Sequence, residues 1–294
     1  MSSKIDDLFR RLKSQQQKAF MPFITAGDPD LKFTEDLLVA LDQAGCHLIE
    51  LGIPYSDPIA DGPVIQESYT RALTGGVRLD DILDMLQHTT SRLQAPVVMM
   101  VSYAIIFRHG IESFIKRATA AGVAGVIVPD LPADESLEFL EQCRQCQLDL
   151  IQLVTPTTSP QRRQQILDRS SGFVYYVSVA GITGERQALP EELLANLETI
   201  RQETDLPICL GFGISSPEQV TALRDAADGF IVGSAIVRRI AAASASDSSV
   251  TVKAAASTTS QSAHNQSICT VDNQQSEQAI ADICEFCNSM LRAL

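Results

Sequence analysis

Eight short apolar runs recur along the 294-residue chain: Phe20–Thr25, His47–Gly52, Pro96–Val101, Gly125–Val128, Leu148–Val154, Phe173–Val177, Pro207–Gly211 and Gly229–Val232. Most are followed by a stretch whose apolar positions fall on one face of a helix, as in Leu37, Leu38, Leu41 and Ala44, or Ile111, Phe114, Ile115 and Ala118. Strands apolar on both faces, alternating with helices, call for a parallel sheet covered by helices, which is either a closed barrel or an open doubly wound sheet. The loops separate the two. Gly, Asp, Pro and Ser gather after the C-terminal ends of several runs, in Ala26 to Pro29, Tyr55 to Pro63, Ala180 to Glu185, Gly211 to Gly213 and Gly233-Ser234. A barrel puts all of these on one face, where such enzymes build their sites, whereas an open sheet concentrates them at one crevice. The expected fold is therefore α/β, a single (β/α)8 TIM barrel spanning residues 1–294. An additional N-terminal amphipathic helix carries Ile5, Leu8, Phe9 and Leu12.

One stretch breaks the pattern. From Ala241 to about Gln275 the chain turns to Ser, Ala, Thr, Gln and Asn with few large apolar residues, so packing cannot offset its ordering entropy. It reads as a low-complexity, disordered insertion over 241–275. Periodicity resumes with Ile280, Ile283, Cys284, Cys287, Leu291 and Leu294, which predicts the eighth outer helix.

With 36 acidic against 23 basic residues, the net charge of −13 opposes both a phosphodiester backbone and anionic lipid, which argues against nucleic-acid and membrane roles. An anionic small ligand would have to be held by local backbone donors and helix N-termini. No apolar run reaches the length of a membrane span and the N-terminus lacks the order of a secretory signal, so a cytoplasmic location is expected. Seven cysteines without such a signal argue against structural disulfides. Cys143-x-x-Cys146 and Cys284-x-x-Cys287 have zinc-ligand spacing, but both pairs sit in helical patterns far apart in the chain, so they read as packing thiols and no metal is expected.

The last three strands supply a phosphate reading. Gly181-Ile182-Thr183-Gly184 follows the sixth run, Gly211-Phe212-Gly213 the seventh, and Gly233-Ser234-Ala235 the eighth, where it opens a short helix. Glycine lets backbone N–H groups approach an anion, and a helix N-terminus adds partial positive charge. Each Gly pair alone serves equally as a turn; three in succession favour a phosphate site. Carboxylates are the second element. Glu50 interrupts the apolar run Leu48-Ile49-Glu50-Leu51 and either faces the barrel mouth, where burial would raise its pKa for proton transfer, or is a structural Glu paired with Arg or backbone. Spacing leaves both readings open. Asp57 and Asp61 in the next loop stand in ordinary Asp-Pro and Asp-Gly turn dipeptides.

The segment Glu50-Leu-Gly-Ile-Pro-Tyr-Ser-Asp-Pro-Ile-Ala-Asp-Gly-Pro63 closely resembles the signature of the tryptophan synthase alpha-subunit family. The likeness continues in Ile24 to Pro29, Val128 to Pro132, Gly181 to Gly184, Gly211 to Ile214 and Val232 to Ala235. This resemblance implies a lyase that cleaves indole-3-glycerol phosphate to indole and glyceraldehyde 3-phosphate, with Glu50 and Asp61 as the catalytic pair. It implies Gly184, Phe212, Gly213, Gly233 and Ser234 around the phosphate, and Phe23, Tyr103, Tyr175, Thr183 and Gly211 along the substrate pocket. It further implies a beta-subunit partner that carries pyridoxal phosphate and receives the indole in an alpha2-beta2 heterotetramer, while this chain needs no cofactor itself. The same motifs would equally serve a stand-alone lyase releasing indole. A barrel that only binds phosphate is disfavoured because both carboxylates and all three Gly loops are present. The chain departs from the family after the third run, where Tyr103-Ala104-Ile105-Ile106-Phe107 replaces the usual Tyr-x-Asn and is one residue short.

Overall fold

Eight parallel strands pair in chain order and close on themselves: β1 (Ala19–Thr25), β2 (Ile49–Gly52), β3 (Val97–Met100), β4 (Gly125–Ile127), β5 (Asp149–Val154), β6 (Val174–Val177), β7 (Ile208–Gly211) and β8 (Gly229–Val232). The seam is β8 on β1, with Met21 opposite Ile231. These strands belong to a computed structural model that describes residues 2–58, 61–177, 191–211, 213–245 and 273–294. Closure explains why the strand runs are apolar throughout. Along β1, Ala19, Met21 and Phe23 face the barrel interior, while Phe20 and Ile24 face the surrounding helices.

The helices are α1 (Lys4–Ser14), α2 (Leu31–Gln43), α3 (Pro63–Thr74), α4 (Leu79–Thr89), α5 (Tyr103–His109), α6 (Ile111–Ala120), α7 (Leu137–Gln145), α8 (Pro160–Asp168), α9 (Glu191–Glu203), α10 (Pro217–Leu223), α11 (Ser234–Ala245) and α12 (Asn273–Leu291). The first is set by a capping box: Asp6 N–H donates to Ser3 Oγ at 3.0 Å, and Ser3 N–H donates to the Asp6 carboxylate at 3.1 Å. Its apolar face, Ile5, Leu8, Phe9 and Leu12, joins the inner cluster, with the Phe9 ring 5.9 Å from that of Phe173 just before β6. The expected extra helix thus plugs the end of the barrel opposite the strand C-termini, leaving the other mouth for a site.

Strand boundaries differ slightly from the apolar runs. β2 begins at Ile49 rather than His47, because the His47 side chain takes the first pairing: Phe20 N–H donates to its Nδ1 at 3.0 Å. The polar stretch expected over 241–275 is helical at both ends. α11 runs through Ala241–Ala245, since alanine favours helix although it adds little apolar surface, and α12 already includes residues 273–275. The intervening 246–272 lie outside the described residues. α12 packs on α11 and α2, burying Ala279, Ile283, Cys287 and Met290. Arg239 of α11 lies 3.8 Å from the centroid of the Phe286 ring and pairs with Asp282 at 3.7 Å. Of the two Cys-x-x-Cys pairs, Cys143 lies on α7 with Cys146 just past its end, Cys284 and Cys287 lie on α12, and the thiol of Cys287 hydrogen-bonds Cys46, just beyond α2. No described helix is long and apolar enough to cross a membrane.

Candidate active site

Glu50 occupies an inward position of β2. Its flanking residues Ile49 and Leu51 pack toward the helices, and strand alternation sends Leu48, Glu50 and Gly52 the other way. The β1–β2 register places Phe23 directly opposite Glu50. Only 1% of Glu50 is exposed, and neither carboxyl oxygen has a hydrogen-bond partner among the described residues. A charged group in that position loses its hydration without replacement, so burial, and secondarily the nearby Asp61, push the Glu50 pKa up to about 8. Glu50 therefore faces the barrel mouth and, among the described residues, is held by no arginine.

Asp61 arrives from the loop between β2 and α3. The loop is fixed at its far end by α3, where Gln66 Nε2 donates to the carbonyls of Asp61 at 2.8 Å and Pro58 at 3.1 Å. Asp61 is half-buried, and burial raises its pKa to about 6 against a lowering hydrogen bond from the Tyr55 hydroxyl. At neutral pH the two carboxyls thus differ: Glu50 keeps its proton and Asp61 has lost its own. α3 itself is tied to the loop after β1. Arg71 grips the fully buried Asp28 carboxylate through two hydrogen bonds of 2.8 and 2.7 Å, and Thr25 and Ser68 share one of 2.6 Å.

The remaining expected residues divide into three groups. Phe23 and Tyr175 lie with Glu50 in the inner cluster, and Gly211 leaves the room that the Tyr175 ring fills, since a Cβ there would stand 2.3 Å from its Cε1. Gly213 has a positive φ of 79°, which suits glycine, and Gly233 with Ser234 forms the half-buried N-terminus of α11. The Gly233 carbonyl accepts from the N–H groups of Ile236 at 2.8 Å and Val237 at 3.0 Å, so the N–H groups of Ser234 and Ala235 point out of the helix end without an intrahelical acceptor. Tyr103 is not brought together with Phe23 and Tyr175. Its ring packs edge-on to Phe139 at 6.3 Å, outside the barrel interior. Thr183, Gly184 and Phe212 lie outside the described residues. Two residues that spacing did not single out also belong to the site: Tyr55, which holds Asp61, and Tyr69. The visible signal for Tyr69 was its place with Ile65 and Ala72 on one buried face of α3.

A family model described as tryptophan synthase alpha chain matches residues 9–267. The chain is 52% identical over 240 residues to the tryptophan synthase alpha chain of Rhodopirellula baltica, covering 81% of this chain and 86% of that relative. The chain belongs to the tryptophan synthase alpha-chain family. Its relative from Trichormus variabilis is 50% identical over 238 residues, 81% of this chain and 90% of that one. Among solved structures, tryptophan synthase subunit alpha from Legionella pneumophila superposes with a TM-score of 0.83 at 31% identity, covering all of this chain and 98% of the other. A tryptophan synthase chain from M. tuberculosis gives 0.75 at 32% identity, over 82% of this chain and 92% of that one. Where the tryptophan synthase alpha-chain pattern has Tyr-x-Asn, the shortened segment here forms α5. Asp130 anchors its start, accepting from Ser102 Oγ at 2.6 Å and Tyr103 N–H at 2.7 Å. Phe107 on the same helix is 69% exposed.

Proposed function

We propose that Glu50 and Asp61 carry out the lyase half-reaction of tryptophan synthase, the retro-aldol cleavage of indole-3-glycerol phosphate to indole and D-glyceraldehyde 3-phosphate. The observation that carries this reading is the pair of carboxyls at one barrel mouth, with pKa values pushed to about 8 and about 6. Protonated Glu50 gives its proton to the indole ring carbon that bears the glyceryl chain. The ring nitrogen then becomes cationic, and the Asp61 carboxylate accepts a hydrogen bond from its N–H. The Glu50 carboxylate next takes the proton of the chain hydroxyl adjacent to the ring. The carbon–carbon bond breaks, its electron pair returns to the ring, and the hydroxyl carbon becomes the aldehyde, leaving Glu50 protonated again. The substrate phosphate sits on the N–H groups of Gly213 and the α11 N-terminus, with Gly184 and Phe212 as the further contacts that the resemblance implies. This placement explains how a chain of net charge −13 binds an anion.

None of these steps requires a cofactor on this chain. Indole passes to a beta subunit, whose pyridoxal phosphate serves tryptophan formation, in an alpha2-beta2 assembly in the cytoplasm. Supporting the partner are the family membership and the solved structures of tryptophan synthase that this chain resembles.

The test is steady-state cleavage of indole-3-glycerol phosphate, with and without a beta subunit. Glu50→Gln removes the titratable proton at constant size and is expected to lower kcat by a factor on the order of 10² to 10⁴ with substrate binding retained. Asp61→Asn is expected to impair kcat strongly as well, because an amide does not stabilise the developing cation. The pH profile of kcat/KM should be a bell, its acid limb near 6 from Asp61 and its basic limb near 8 from Glu50. Near-wild-type turnover in either variant removes that residue from the chemistry.

A further inference from the structure

Beside the two carboxyl oxygens of Glu50, a third buried polar atom in the barrel mouth has no hydrogen-bond partner among the described residues: the hydroxyl of Tyr69. Tyr69 projects from α3 into the inner cluster and is 1% exposed. Its Oη stands 2.9 Å from where a Cβ on Gly52 would be, so it overlies the inward position next after Glu50 on β2. The Tyr55 ring packs against its own at 5.6 Å between centroids, and among the described residues Asp61, Tyr55, Glu50 and Tyr175 are titratable groups close enough to interact with its hydroxyl.

We propose that Tyr69 is a further substrate-binding residue, whose hydroxyl hydrogen-bonds a hydroxyl group of the glycerol chain beside Glu50. This rests on the reading of the site given above. A phenylalanine would fill the same space, and a buried hydroxyl left without a partner destabilises the fold, so the Tyr69 O–H is stabilised only when a polar group enters the mouth. Which group enters follows by assigning the polar atoms of the substrate. Asp61 takes the indole N–H, and the backbone donors at α11 take the phosphate. Glu50 takes the hydroxyl next to the ring. What is left between ring and phosphate is the rest of the hydroxyl-bearing chain, and Tyr69 is the buried, unpartnered donor on the β2–α3 side of that space. The same burial that isolates the phenol raises its pKa well above 10, so it remains a neutral donor throughout the working pH range.

The experiment compares Tyr69→Phe with the wild-type enzyme on two ligands: indole-3-glycerol phosphate, and an indole-3-alkyl phosphate of the same chain length that carries no chain hydroxyls. Removing an unpartnered hydroxyl without opening a cavity should leave the Tm unchanged or slightly raised. Expected in the variant are a kcat/KM for the substrate lowered by about 10- to 100-fold and a Kd for the hydroxyl-free analogue within about twofold of wild type. Equal weakening of both ligands would mean that Tyr69 only shapes the cavity, and an unchanged kcat/KM would mean that its hydroxyl makes no contact. Either result overturns the proposal. The wild-type enzyme in the same assay reports on the functional reading itself, so its failure to release indole is distinguished from a failure of the Tyr69 assignment.

Discussion

At the scale of single residues, what the folded chain does to Glu50 should be readable in its stability as well as its rate. The carboxyl ordinarily titrates near 4.5 and is pushed to about 8 in the fold, so between these values the folded chain binds a proton that the unfolded chain has released. Stability from this group is complete below about 4.5 and is lost as pH rises through about 8. A glutamine at that position does not titrate. Glu50→Gln should therefore match the wild-type Tm near pH 5 and exceed it by several degrees near pH 9, with roughly 1.4 kcal/mol for each tenfold change in proton affinity as an upper bound. Asp61, raised from 3.8 to about 6, contributes with the same sign but is present in both proteins. A Tm difference that stays flat between these pH values would show that Glu50 is not desolvated. A variant more stable yet nearly inactive would mark the Glu50 site as one where stability is given up for chemistry. Glu50 was legible in the sequence because a lone carboxylate in an apolar strand is conspicuous. Tyr69 was not, since an aromatic residue on a helix face reads as core until the absence of a partner for its hydroxyl is seen.

At the scale of elements, the alternation of strands and helices was legible because barrel strands are buried on both faces and their helices on one, two patterns with different periods. Boundaries were less so. The His47 imidazole replaces a backbone partner, and the alanines that extend α11 to Ala245 look like low complexity although they favour helix. The phosphate-binding role proposed for α11 depends on its first turn, where the N–H groups of Ser234 and Ala235 are not used inside the helix. Ser234→Asp separates a phosphate site from a helix start that merely caps itself. A carboxylate in the first turn complements the helix dipole, so the Tm should hold or rise, by about 0.3–1 kcal/mol in stability. The same charge would occupy and repel the phosphate position, so KM for indole-3-glycerol phosphate should rise at least tenfold with a smaller change in kcat. Competitive inhibition by inorganic phosphate should weaken in parallel. An unchanged KM in a folded Ser234→Asp variant would move the phosphate elsewhere.

At the scale of the whole molecule, the barrel closes through α12, yet 246–272 separate that helix from α11 and supply little apolar surface to bury. What holds α12 in place is its own contact with α11 and α2: Ile283, Cys287 and Met290 are fully buried, and Arg239 lies over Phe286 beside Asp282. The closing helix should therefore stay docked without the intervening residues, provided a linker spans the gap. Its length can be bounded. Ala245 is six residues beyond Arg239, or about 9 Å of helix, and Asn273 is nine residues before Asp282, or about 14 Å. Adding the contact and the two side chains that make it, about 12 Å from Cα to Cα, the two ends lie no more than about 35 Å apart, a distance that about eleven extended residues cover. Replacing 246–272 with a Gly/Ser linker of about 12 residues is expected to leave kcat/KM for indole-3-glycerol phosphate within about twofold of wild type. It should leave the Tm equal or slightly higher, because loop-closure entropy falls only slowly as a loop shortens. Removing α12 as well should unfold the barrel, since α2, α10, α11 and the outer face of β1 lose their cover. A linker variant that folds but loses intrinsic cleavage would give the segment a role at the site. If cleavage persists and only the stimulation by a beta subunit is lost, 246–272 belongs to the surface that meets the partner.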